Sequence, residues 1–126
     1  MKKEFTILVA DRNPRVRSLL KRELTLEGYR VLLAQSCRDV VRAVFQPDAI
    51  DLIILDPDLP DAEEVELMEK IFNRVPQMPV IIHAFISEHP ELMGNWHPEA
   101  FVEKSADSLE RLISKVSTLF TKSSAP

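Results

Sequence analysis

Two periodicities alternate along the chain. Short runs of β-type patterning occur at Phe5–Ala10, Tyr29–Ala34, Asp51–Leu55, Pro79–Ala84 and Ala100–Val102. Between and after them, apolar residues recur every three or four positions, the signature of a helix with one buried face. The first such stretch carries Val16, Leu19, Leu20 and Leu24, and the second Val40, Val41, Val44 and Phe45. The third carries Val65, Met68, Ile71, Phe72 and Val75, and the last Leu109, Leu112, Ile113, Val116, Leu119 and Phe120. Residues 86–98 hold Pro90, Gly94 and Pro98, so a fourth helix, between the last two, is predicted to be short or irregular. Asn13 with Pro14 is suited to start the first helix, and Gly28 to end it in a left-handed conformation. Ser105 or Asp107 is suited to cap the last. Pro47, Pro76 and Pro79 fall where helices should close or strands open.

Alternating β and α units imply right-handed crossovers and a parallel sheet covered on both faces. Ile7-Leu8-Val9 and Leu52-Ile53-Ile54-Leu55 are continuously apolar, as central strands should be, whereas the mixed Tyr29–Ala34 run suits an edge. With 126 residues, 45% hydrophobic and 29% charged, the chain is sized and composed as one globular domain, 1–126, with a core over about 5–120 and a polar tail over 121–126. A formal net charge of −4 argues against sequence-blind binding to nucleic acid or an anionic membrane. The single cysteine, Cys37, excludes an internal disulfide and a multi-cysteine zinc site and suits a reducing compartment. With no signal-peptide core at Met1–Asp11 and no run approaching a membrane span, a cytoplasmic chain is expected.

Sites in open parallel sheets form beyond the carboxyl ends of the strands. The first strand delivers Asp11 there, the third Asp56, the fourth His83 and Ala84, and the fifth Lys104. An acid ending a buried apolar run is on its own as well read as a loop or cap residue. Two acids and an ammonium from three strands point further, to a divalent cation and a phosphoryl group. Mg²⁺ favours oxygen ligands and keeps several waters, so Asp11, Asp56 and the backbone carbonyl of Asp58 form a credible ligand set. Lys104 can then pair with a phosphoryl oxygen.

The order of these pieces resembles the receiver domain of bacterial two-component response regulators. They are Ile7-Leu8-Val9-Ala10-Asp11 with Asn13-Pro14, Glu27-Gly28-Tyr29-Arg30-Val31, and Pro47 through Asp56 with Leu59-Pro60. Pro76 through Pro79-Val80-Ile81-Ile82 and Phe101-Val102-Glu103-Lys104 complete the match. The resemblance implies a flavodoxin-like, doubly wound α/β fold with five parallel strands in the order 2-1-3-4-5. It implies that Asp56 accepts a phosphoryl group from a phosphohistidine on a histidine kinase or phosphotransfer protein. Asp11 would hold Mg²⁺, Asp58 would lend its carbonyl, and Lys104 would contact the phosphoryl group. Such a chain is a phosphoacceptor that assists its own phosphoryl transfer, with a downstream effector as its other partner, and not an enzyme in the ordinary sense. The family switches through the face built from the fourth helix, fifth strand and fifth helix.

Several positions depart from that pattern. Ala10 stands where the family usually has a second acid, which predicts weaker Mg²⁺ binding, and Ala84 where it has a Ser or Thr hydroxyl. Pro57 removes a backbone N–H, Glu64 replaces a common Gly and Ser105 a common Pro, and the interval from Ala84 to Lys104 is about two residues shorter than usual. Strand alternation favours His83 as a partly buried structural histidine, a one-residue shift being what would turn its imidazole to the site. The departures motivate an alternative, a degenerate receiver serving as a phosphorylation-independent interaction module. An enzyme on the same scaffold lacks support, because there is no Gly-rich phosphate loop and no nucleophile beside a matched histidine. Acids crowd residues 56–69, arginines and lysines crowd 12–22, and Trp96, with Phe85, Met93 and His97, suggests a small patch packed under a loop. The acidic and basic stretches read first as solvated helix faces, the basic one also as a docking face for a kinase.

Overall fold

In the computed structural model, residues 4–46, 50–61, 79–85 and 98–123 are described, Lys122 and Ser123 by backbone alone. The strands are β1 (Thr6–Ala10), β2 (Arg30–Ala34), β3 (Leu52–Leu55), β4 (Val80–Ala84) and β5 (Ala100–Glu103). The helices are α1 (Pro14–Leu26), α2 (Cys37–Val44) and α3 (Ser108–Ser123). All five strands are parallel, in the order β2-β1-β3-β4-β5. Each strand lies within a residue of its expected bounds. The third and fourth helical patterns, and the Trp96 patch, lie outside the described residues.

β1, β3 and β4 are buried along their whole length, whereas β2 at one edge is half exposed. Two apolar layers form on opposite sides of the sheet because side chains alternate along each strand. One joins Leu8, Ala10, Ile53, Leu55, Ile82 and Ala84 to Cys37 and Val40 of α2. The other joins Ile7, Val9, Leu52, Ile54, Ile81 and Val102 to Leu20 and Leu24 of α1 and Leu112, Val116 and Phe120 of α3.

The ends of α1 follow from local chemistry. Asn13 Oδ1 accepts the N–H groups of Arg15 and Val16 at 2.9 and 3.4 Å, with Pro14 at the first turn. At the other end Gly28 has φ +98°, its N–H donating to the Thr25 carbonyl and that of Tyr29 to Leu24. A Cβ added at Gly28 would touch nothing within 4 Å, so the backbone angle and not space demands glycine there.

Two expectations need correction. α3 runs on to Ser123, into the stretch read as tail. Neither Ser105 nor Asp107 spends its side chain on the α3 backbone: Ser105 Oγ donates to Asp107 Oδ1 at 2.7 Å, and Arg111 reaches both. The i,i+4 pairing of Asp107 with Arg111 draws that carboxylate away from the cap.

Candidate functional site

The parallel ladder extends one residue beyond three strand ends and thereby places three charges. Asp11 N–H donates to the Ala34 carbonyl (3.1 Å), Asp56 N–H to Ala10 (2.8 Å) and Lys104 N–H to Ala84 (2.9 Å). Alternation carries the side chains to one face, since Asp11 lies two residues past Val9, Asp56 past Ile54 and Lys104 past Val102. There they meet. Lys104 Nζ lies 3.4 Å from Asp11 Oδ2 and 3.3 Å from Asp56 Oδ2. Asp56 is wholly buried, and Asp11 is 2% exposed. The ammonium, whose side chain is 12% exposed, bridges two carboxylates that neither water nor each other can stabilise.

Backbone amides hold the carboxylates in place. Asp56 Oδ1 accepts the Asp58 N–H at 2.9 Å and Oδ2 the Arg12 N–H at 3.3 Å. Asp11 Oδ1 accepts the Asn13 N–H at 2.8 Å. Burial raises the pKa of Asp11; the Asn13 amide opposes that rise, the Asp56 charge adds to it, and Lys104 opposes it. Two carboxylates against one ammonium leave a net negative charge in a nearly dry place. That charge and the oxygen donors suit a hard divalent cation, which ordinarily takes one or two carboxylates and retains water. Among the described residues no three His, Cys, Asp or Glu side chains are gathered as a ready metal cluster, so a cation here would depend on the two acids, backbone and water.

His83 corrects its sequence reading. The unshifted strand already turns it to the charged face, because it follows Ile81 as Asp56 follows Ile54. It is 2% exposed, with Nδ1 3.9 Å from Asp11 Oδ2 and Nε2 2.9 Å from Ser108 Oγ. Burial, and next the charge of Lys104, lower its pKa from 6.5 to about 4, so the ring is neutral at pH 7. The parity of Ile81 and His83 was the available signal. Ala84, fully buried, faces the opposite layer with Ala10.

Other contacts were not foreseen. Arg17 of the basic stretch donates to the Asp11 carbonyl at 2.6 Å. Asp61, five residues past Asp56, accepts the first N–H groups of α2, from Cys37 at 2.6 Å and Arg38 at 3.1 Å. The Cys37 N–H is the chief reason its pKa lies below the usual carboxylate value. Thus the loop after Asp56 is tied to α2. Lys104 also stands 5.9 Å above the Phe85 ring.

A 2-1-3-4-5 parallel sheet with acids and a lysine at its carboxyl edge defines a flavodoxin-like signalling module. The family pattern of the response regulator receiver domain matches residues 7–116, and the chain belongs to that family. Among solved structures, the response regulator TrrA of Thermotoga maritima, in complex with Mg(2+)-BeF, superposes with a TM-score of 0.79 at 30% identity, covering 91% of this chain and 98% of that one. A two-component response regulator of Clostridium difficile superposes at 0.84 with 26% identity, covering 97% and 100%. The transcriptional regulator NtrC of Bradyrhizobium sp. (strain RP501 Parasponia) is 35% identical over 77 residues, 61% of this chain and 16% of that protein. The match thus spans about one sixth of that regulator's length. Among the described residues no helix is long and apolar enough to cross a membrane.

Proposed function

We propose that this receiver domain accepts a phosphoryl group on Asp56 from a phosphohistidine of a histidine kinase or phosphotransfer protein. One observation carries the reading: a fully buried Asp56 bridged to Asp11 by Lys104 at 3.3 and 3.4 Å. A structural ion pair does not need a second buried acid facing the same ammonium. In the transfer, an Asp56 carboxylate oxygen forms the new P–O bond as the P–N bond breaks and its electron pair returns to the donor imidazole. Alignment and charge neutralisation supply most of the catalysis in such reactions. The Asp58 and Arg12 amides fix the carboxylate, while Lys104 is poised to shift from carboxylate to phosphoryl oxygen. Asp11, Asp56 and the Asp58 carbonyl would hold Mg²⁺, which when bound neutralises the incoming phosphoryl charge.

The test is acetyl phosphate with Mg²⁺, read by intact mass. The expected result is one added phosphate on the wild type and none on Asp56→Asn; a wild type that gains no mass rejects the reading. A second reading, a phosphorylation-independent interaction module, is favoured by Ala84, which sits in an apolar layer and offers no hydroxyl to a phosphoryl group. It predicts a partner whose affinity is the same for wild type and Asp56→Asn.

A further inference from the structure

A chain of buried polar groups runs from the charged edge of the sheet to the first turn of α3. Asp11, His83 and Ser108 are each no more than 3% exposed. His83 Nδ1 faces Asp11 Oδ2 across 3.9 Å, and Nε2 lies 2.9 Å from Ser108 Oγ. The Ser105 carbonyl accepts the Ser108 N–H at 3.2 Å and lies 3.0 Å from Ser108 Oγ. Ser105 follows Lys104 directly, so the chain closes into a ring around the lysine that bridges the two acids. The Ser108 hydroxyl thus has one proton and two acceptors in reach. In one arrangement it donates to Nε2, and the ring turns Nδ1–H toward Asp11. In the other it donates to the Ser105 carbonyl, Nε2–H donates to Oγ, and Nδ1 presents its lone pair. Both keep the imidazole neutral, as burial favours.

The charge facing Nδ1 decides between the two, because this nitrogen makes no hydrogen bond among the described residues. Two carboxylates against one ammonium leave an excess negative charge there, which favours Nδ1–H. Loading Asp56 removes the excess, since a dianionic acyl phosphate, a divalent cation, Asp11 and Lys104 together carry no net charge. We propose that His83 and Ser108 couple the loading of Asp56 to the first turn of α3. Loading moves the imidazole proton from Nδ1 to Nε2 and turns the Ser108 hydroxyl from His83 to the Ser105 carbonyl. The ring gives one proton to solvent and takes one back, so its own charge does not change. The proposal rests on the reading of Asp56 as phosphoacceptor and adds a route out of that site. His83 and Ser108 are positioning residues here, because the transfer itself needs neither.

Long-range proton–nitrogen NMR of the wild type, without and with Mg²⁺ and beryllofluoride (an acyl-phosphate mimic), reads the ring directly. The His83 signals, identified by their loss in His83→Leu, should show the proton on Nδ1 before loading and mostly on Nε2 after it. The amides of Leu109 and Glu110 should move on loading in the wild type, and roughly half as far or less in His83→Leu and Ser108→Ala. Intact mass after acetyl phosphate with Mg²⁺ should show one added phosphate on all three proteins. An unchanged ring in the loaded wild type overturns the coupling while Asp56 stands as phosphoacceptor, and so do equal amide movements in the three loaded proteins. If either variant fails to fold, the wild-type ring measurement decides by itself. A wild type that gains no phosphate overturns the phosphoacceptor and, with it, this coupling.

Discussion

The two faces of the sheet end differently at the same edge. On the side of α2 the strands close on Ala10, Leu55 and Ala84, all buried in an apolar layer. On the side of α1 and α3, at the alternate positions of the strand ends, they close on Asp11, Asp56, His83 and Lys104. Both positions where the family pattern loses a polar group, Ala10 and Ala84, lie on the apolar side. Both supply the carbonyls that anchor Asp56 and Lys104. Since a backbone carbonyl does not depend on the side chain it belongs to, polarity can be stripped from one face without moving the charges on the other.

The largest effect should come from removing the cation on the polar face. Lys104→Met strands two buried carboxylates and should lower the unfolding free energy at pH 7 by about 3 kcal/mol in denaturant titrations. Excess Mg²⁺ should recover part of that loss, because an ion that binds the folded state alone stabilises it. A variant as stable as the wild type would show that the face is not an electrostatic unit.

His83→Leu should change how stability depends on pH. Below pH 6.5 an unfolded chain protonates this imidazole, while the folded ring stays neutral to about pH 4. In that window the unfolded state holds more protons, so the wild type loses stability as pH falls through it and is fully stabilised above it. The change attributable to His83 amounts to about 3 kcal/mol. Asp11, raised by burial, acts in the opposite sense just above the ordinary carboxylate range. Urea midpoints at pH 4.5 and 7 should therefore lie closer together in His83→Leu than in the wild type.

On the apolar face, Ala84→Ser places a hydroxyl in the buried apolar layer that Ala84 shares with Leu55 and Ile82 and should destabilise by about 1 kcal/mol. An unchanged thermal midpoint would mean that this layer already accommodates polarity. The smallest effect belongs to Asp61→Ala. It removes the acceptor for the α2 amides and should speed hydrogen exchange at Cys37 and Arg38 while leaving β1 and β3 protected.

Much of this was legible from residue order. Apolar runs bounded by Asn13-Pro14 and Gly28 specify strands and a capped helix because hydrophobic periodicity and backbone permissiveness are local properties. The charges at three strand ends could be named for the same reason, since a strand buried on both faces cannot continue through Asp11 or Asp56. Strand alternation is local too, and it sets His83 on the same face as Ile81.

Residue order therefore determined the strands, the capping of α1 and which charged groups would reach the carboxyl edge. Tertiary structure decided how those groups combine: Lys104 between two acids, His83 held by Ser108 from α3, and Asp61 spent on the start of α2. Those pairings join residues 23 to 93 positions apart in the chain. They are fixed by strand order and helix packing, because a contact between distant segments depends on where both are held and not on the character of either one.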